Sequence, residues 1–374
     1  MPTIAIQPDH VVQPNGVAQS YSDRWLALAA TAGIHTKVVD VHKPDFFVQL
    51  DGCDGFMWRF GYRAPERLIA LRLLPAVEHA LGIPVFPSWK SGWHFEDKIS
   101  QHYLLKAAGI PMPRTWVFWD RDAALDFLRQ ASFPLVMKLA HGYRSGNVRL
   151  LRNAEEGSYW VEELFGPGVW GFGPTPVGSH LRRTLARAKA AARLLAGRPA
   201  PLPSLRSELQ RGYFYAQEFL AGNDFDTRVT VVGNRAFAYR RLNRPGDFRA
   251  SGSGRPDWDP SQIDLQMVRL AFLVARRLDT QSVAIDGMRR GVERVLGEIS
   301  YTYVSWMVRD CPGHWVLHGE PGAGDLEWVA GHLAPDDAIF EDFVSALRPP
   351  HLSSKGAIRE AGDGEQRYAG AARH

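Results

Sequence analysis

Through its first ninety residues the chain alternates short β-type runs with helical patterns. That order dictates a parallel sheet, because parallel neighbours need a crossover connection between them. Thr3–Ile6 reads as a strand, followed by a helical segment capped by Ser22 that carries Trp25, Leu26, Leu28, Ala29 and Ala32 and stops at Gly33. Thr36–Val41 and Gly55–Trp58 are the next strands, Pro65–Leu81 is a helix, and Ile83–Phe86 is a fourth strand. Residues 1–90 are thus expected to form a small parallel α/β domain.

From Ser91 the rhythm changes. Glu96–Ala108 has helical spacing and ends at Gly109-Ile110-Pro111, with an extended stretch to Trp119 and another helix at Asp122–Gln130. Pro134–Leu139 reads as a buried strand, His141 to Gly146 as a tight loop, and Val148–Leu151 as a further strand. Residues 153–212 read as an insertion, with a Gly/Pro/aromatic stretch and then an Ala/Arg/Leu helix. Strands return at Tyr213–Leu220, Phe225–Val232 and Ala236–Leu242, the last two joined at Gly233-Asn234, a hairpin composition. Gln262–Leu278 is an amphipathic helix, and Ser282–Met288 and Val292–Ser300 form a second hairpin. A main domain over 91–348 and a polar, disordered tail over 349–374 complete the expectation.

Several function classes recede on composition. With 374 residues, 45% of them apolar, the chain can fill more than one core, and its net charge of +4 is small for that length. The basic residues bunch near 182–198 instead of lying on aromatic-rich strands, which argues against a nucleic-acid partner. That stretch is either a solvated helix face or a surface that draws an anionic acceptor. Met1–Ile6 lacks the features of a signal peptide, and no apolar run reaches the roughly 18–20 residues that span a bilayer. Cys53 and Cys311 have no metal-type spacing, so a soluble cytoplasmic protein with free thiols is expected, and a homodimer is compatible with it.

A handful of side chains have the chemistry of a phosphate site. Lys98 opens a helix in Phe95-Glu96-Asp97-Lys98, and Lys138 ends an apolar strand just before the loop that holds Gly142, Ser145 and Gly146. An ammonium beside an amide-rich loop suits phosphate oxygens, whereas the plain alternative is a solvated Lys98 and a Lys138 that snorkels outward. In Glu298-Ile299-Ser300 the strand period puts Glu298 and Ser300 on one face. Asp286 lies on the preceding strand of the hairpin, so the two carboxylates can come side by side around a divalent cation, or each can have its own protein partner. Arg228, Arg240, Arg241, Arg244 and Arg249 either stabilise transferred charge or pair across strands with Asp224, Asp226 and Asp247.

Taken in order, these motifs resemble the ATP-grasp superfamily, and within it the carboxylate-amine ligases like the glutamate ligase that modifies a ribosomal protein. The similarity runs over about residues 91–305: Asp97-Lys98, Gly109 to Thr115, Phe133 to Lys138 with the following loop, Gln217–Leu220, Asp226-Thr227-Arg228, Phe248-Arg249-Ala250-Ser251, and Asp286 with Gly297-Glu298-Ile299-Ser300. The resemblance implies an ATP-grasp fold of α/β (α+β) class behind a small parallel α/β domain, ATP as co-substrate, and Mg2+ or Mn2+ as the metal. It further implies that Lys98 and Lys138 hold phosphates, that Gly142, Ser145, Gly146 and Ser251 belong to the cofactor-binding set, that Gln217, Glu218 and Phe219 meet adenine, and that Asp226 lies by the ribose. Arg228 and Arg249 would face the γ-phosphate and acyl phosphate, and Asp286, Glu298 and Ser300 the metal, with Ser300 standing where the family usually has Asn. The substrates implied are a small-molecule or peptide carboxylate and an amine. A kinase, or a nucleotide-binding protein without turnover, are the competing readings, and Arg59 is a further candidate as a carboxylate clamp.

Overall fold

The computed structural model describes residues 1–9, 11–12, 18–142, 147–171, 208–250 and 253–347. The expectations for Ser145, Gly146 and Ser251, for the basic stretch near 182–198 and for the tail from 349 lie outside the described residues.

The amino-terminal alternation builds β1 (Thr3–Ile6), α1 (Tyr21–Thr31), β2 (His35–Val38), β3 (Gly55–Met57), α2 (Ala64–Pro75) and β4 (Val85–Phe86). The four strands form a parallel sheet in the order β2-β1-β3-β4. The cap of α1 is Ser20, whose side chain accepts from the Asp23 N–H; Ser22 lies one residue inside the helix, where its hydroxyl accepts instead from the Asp9 N–H. The second strand stops at Val38, short of the expected Val41. This sheet shares its core with the far end of the chain, since Ile4, Phe56 and Phe86 pack in one cluster with Tyr301, Ile339 and Phe343. Gly55 sits so close to Phe343 that an added Cβ would lie 2.8 Å from its ring, which explains a glycine at the start of a buried strand.

Next come α3 (Lys98–Ala107), β5 (Thr115–Phe118), α4 (Arg121–Gln130), β6 (Leu135–Lys138), β7 (Val148–Leu151), α5 (Ala154–Phe165) and β8 (Phe214–Glu218). The strands make an antiparallel sheet in the order β5-β8-β6-β7. Within the segment read as an insertion, α5 packs on α4, with Gly157 against Leu128, and Val161 and Leu164 join the core of this sheet.

The third unit is an antiparallel sheet of β9 (Phe225–Val232), β10 (Arg235–Leu242), β11 (Ser282–Arg290), β12 (Glu293–Ser300), β13 (Gly313–His318) and β14 (Asp325–Ala330), ordered β12-β11-β9-β10-β13-β14. Both expected hairpins form: β9 and β10 turn at Gly233, whose φ of 58° is left-handed, and β11 and β12 turn at Gly291. α6 (Leu265–Arg277) covers one face through Met267, Val268, Ala271 and Val274, and α7 (Pro335–Ala346) follows β14. Among the described residues no helix is long and apolar enough to cross a membrane.

Candidate active site

The antiparallel pairing of β11 and β12 sets Asp286 directly opposite Glu298, and that of β9 and β11 sets Arg228 opposite Asp286. Local sequence therefore brings an arginine and two carboxylates into one row across three strands. Asp286 is gripped from two sides: Arg228 Nη2 lies 2.6 Å from Oδ1 and Arg241 Nη2 2.7 Å from Oδ2. Burial works against its charge, but the two guanidinium groups hold the carboxyl below its usual range. Arg241 also clamps Asp226, at 2.7 and 2.5 Å. Asp226 is fully committed to this ion pair, and burial pushes its carboxyl up despite it.

Glu298 takes a different partner. Lys98, the first residue of α3 after the Asp97 cap, places Nζ 3.3 Å from Glu298 Oε1 and donates at 2.8 Å to the carbonyl of Gly142. It is buried, not solvated; burial opposes its charge, yet Glu298 and Glu96 raise its pKa above the ordinary value. Gly142 itself has a φ of 137°, and a Cβ there would fall 2.1 Å from Asn147 Nδ2, so only glycine lets the loop start this close to the lysine. The Lys138 side chain, at the end of β6, makes no hydrogen bond or ion pair with the described residues, and burial brings its ammonium down to about 8 against the pull of Glu298. A half-buried cation without a close counter-ion is suited to an anionic ligand.

Of the expected pairs between arginines and Asp224, Asp226 or Asp247, Arg241–Asp226 spans neighbouring strands, whereas Asp247 is held locally: Arg249 Nε lies 2.9 Å from its Oδ1 and Arg244 Nη1 3.7 Å from the same carboxylate. Arg240 pairs instead with Asp257. Ser300, on the face of Glu298, donates its hydroxyl at 2.5 Å to the carbonyl of Thr302. Arg59 is closed off inside the molecule: it pairs with Asp9 at 3.2 Å, donates to Thr302 Oγ1 at 2.6 Å and lies over the Tyr21 ring.

The hinge residues separate. Gln217 lines a shallow hollow together with Lys98, Gln101, His102, Met112 and Leu296, a mixed polar and apolar lining. Glu218 points to other work, since its carboxylate holds the Arg114 N–H and Nε and Arg290 Nη1, at 2.8, 2.7 and 3.0 Å. Phe219 packs edge-on against Phe248. Sequence reasoning did not single out Met112, Leu296 or Glu96 as site residues; their approach comes from strand pairing and helix docking over long stretches of chain.

Among the described residues no group of three or more His, Cys, Asp and Glu side chains is placed to hold a metal. The pair Asp286 and Glu298 nonetheless fits a hard divalent cation that draws its other oxygens from phosphate and water, because each carboxylate oxygen has a lone pair beyond the bond it already accepts.

No family model matches the chain. Over 110 residues, 29% of its length, it is 34% identical to the trifunctional purine biosynthetic protein adenosine-3 of Drosophila melanogaster, of which that segment is 8%. Its structure superposes on an ATP complex of biotin carboxylase from Campylobacter jejuni with a TM-score of 0.53, over 94% of this chain and 72% of that one, at 12% identity. The chain has the ATP-grasp fold. A RimK-domain ATP-grasp protein from Sphaerobacter thermophilus aligns over 82% of this chain and 93% of that one, at 15% identity and a TM-score of 0.49.

Proposed function

We propose that this chain is an ADP-forming carboxylate-amine ligase that uses Mg-ATP to convert a carboxylate to an acyl phosphate. The observation that carries the reading is Lys138, a half-buried ammonium without a close counter-ion among the described residues, set in the field of Lys98, Glu298 and Asp286. Such a site lowers the energy of a triphosphate more than that of any neutral ligand.

Adenine would lie in the hollow walled by Met112 and Leu296, with Gln217 at its polar edge. Lys98 and Lys138 would then meet the phosphate oxygens, and Arg228, freed in part from Asp286, would turn toward the γ-phosphate. Asp286 and Glu298 would hold Mg2+, or Mn2+ in its place, which would supply positive charge to the phosphates. Phosphoryl transfer asks little covalent help of a protein, so fixed cations account for most of the acceleration. The substrate carboxylate attacks the γ-phosphorus, and the amine then displaces phosphate.

Phosphate release in a matrix of carboxylic acids and amines tests this directly. Release of ADP and free phosphate that needs one member of each set is the expected result. ATP consumption with a phosphorylated product and no free phosphate would make the protein a kinase. A second reading, nucleotide binding without turnover, draws on Ser300, whose hydroxyl is already bound to Thr302; it predicts tight nucleotide binding and no phosphate release under any pairing.

A further inference from the structure

Glu298 lies two residues before the end of β12, and the ladder that holds it there is short. Leu296 faces Gly287 and Glu298 faces Asp286, so Gly297 between them has no facing residue and the strand bulges. Beyond the bulge, Glu298, Ile299 and Ser300 pair with Asp286, Ile285 and Ala284, and there the strand stops. A bulge re-aims the side chains beside it, so the register of Glu298 against Asp286 depends on what fixes the far end of this three-residue run.

The amino-terminal part of the chain grips that end through three successive residues. Tyr301, Thr302 and Tyr303 are buried. The Tyr301 hydroxyl donates to the carbonyl of Phe60, Thr302 Oγ1 accepts from Arg59 Nε at 2.6 Å, and the Tyr303 carbonyl accepts from the Tyr21 hydroxyl at 3.2 Å. Arg59 follows β3 by two residues and is itself held, with Nη1 3.2 Å from Asp9 Oδ2. Asp9 in turn accepts from the Ser20 hydroxyl and from the N–H groups of Tyr21 and Ser22 at the start of α1, at 3.0, 3.3 and 2.8 Å. The bond from the Ser300 hydroxyl to the Thr302 carbonyl closes the path from α1 to the strand. On α3, Gln101 steadies the Ile299 backbone, accepting from its N–H at 3.3 Å and donating to its carbonyl at 2.9 Å.

We propose that Arg59 is a positioning residue for the metal pair: through Thr302 it fixes the end of β12 and keeps Glu298 in register with Asp286. The cation site then depends on the amino-terminal sheet, although no residue of that sheet reaches the cation. The proposal rests on the assignment of Asp286 and Glu298 to the metal in the ligase reading above. Groups that orient a metal ligand from behind ordinarily contribute about tenfold to a hundredfold to metal affinity.

The test is Mn2+ binding by the full chain, read from the spin-resonance signal of the free ion, with a non-hydrolysable ATP analogue kept below the protein concentration. Thr302→Val keeps the shape and removes the hydroxyl that meets Arg59; it should raise the Mn2+ concentration for half-saturation about tenfold or more, with affinity for the metal-free analogue unchanged. Thr302→Ser restores the hydroxyl and should restore Mn2+ binding. Val161→Ala, in the separate core under β6, should lower the melting temperature and leave Mn2+ binding alone, as a merely structural Thr302 would. Where Thr302→Val fails to fold, Tyr301→Phe, which loses only the bond to Phe60, should shift half-saturation the same way by about threefold. Unchanged half-saturation in those of the two variants that fold, or a Thr302→Ser protein as impaired as Thr302→Val, overturns the proposal. The two readings fail separately: Mn2+ binding by the parent with no phosphate release under any pairing of acid and amine removes only the ligase reading. A parent that binds no Mn2+ removes the metal pair and this proposal with it.

Discussion

Replacing Lys138 by Met separates a phosphate site from a structural lysine. The ammonium falls from an ordinary pKa of 10.5 to about 8 in the folded protein. At about 1.4 kcal/mol per pH unit this corresponds to an upper bound of roughly 3 kcal/mol, and allowing for partial solvent contact about 2 kcal/mol of destabilisation remains. Because the folded value is the lower one, the penalty is fully present below pH 8. It fades as the pH climbs toward 10.5, where the unfolded lysine also loses its proton. The groups that set this balance are Glu298 and Asp286, which favour the charge, and Lys98, which opposes it. Lys138→Met should therefore raise the melting temperature of the nucleotide-free protein by about 2–8 °C at pH 7, and the gain should shrink across pH 8–10.5. Its affinity for an ATP analogue should fall by about tenfold to a hundredfold, the worth of a hydrogen bond to a charged group. Thermal melts and calorimetry on the same samples read both effects. A lower melting temperature with unchanged nucleotide affinity would refute the reasoning.

Other substitutions test the surrounding parts. Glu298→Gln should lower kcat by about a hundredfold or more and alter the magnesium requirement, read by phosphate release against metal concentration, whereas Ser300→Asn should leave turnover in place. Arg59→Met strands Asp9 in the interior and should cost about 3–5 kcal/mol in denaturant unfolding. Glu218→Gln should cost about 1–3 kcal/mol at pH 7. Burial resists the Glu218 charge, but Arg114 and Arg290 hold its carboxyl below the ordinary 4.5. The loss should therefore disappear as the pH falls through that lowered value, and acid titration of both proteins checks it.

Much of the frame was legible because it depends on neighbours in sequence. Gly233 and Gly291 mark their hairpins; regular pairing counted from the β11–β12 turn would set Asp286 opposite Gly297, and a register shift between Asp286 and Gly287, which the sequence does not announce, brings it opposite Glu298. The parallel order at the amino terminus likewise follows from helices between strands. The partners of the site residues were less accessible. Lys98 has a surface-like context in sequence, and its burial depends on Gly142 and on Glu298, 44 and 200 positions away. The double grip on Asp286 needs Arg241, whose strand pairs with β9 and not with β11. Helix α5 was hidden by Gly157 and by the Gly/Pro-rich stretch that follows it, and its place became visible only with Leu128 packed against that glycine.

The acyl-phosphate step can be followed by isotope. With the carboxylate substrate labelled with oxygen-18 and the reaction run in unlabelled water with Mg-ATP and the amine, the released phosphate is analysed by mass. Attack of the carboxylate on the γ-phosphorus leaves one labelled oxygen in each phosphate released, and that is the expected result. Unlabelled phosphate from a reaction that still joins acid to amine would contradict it.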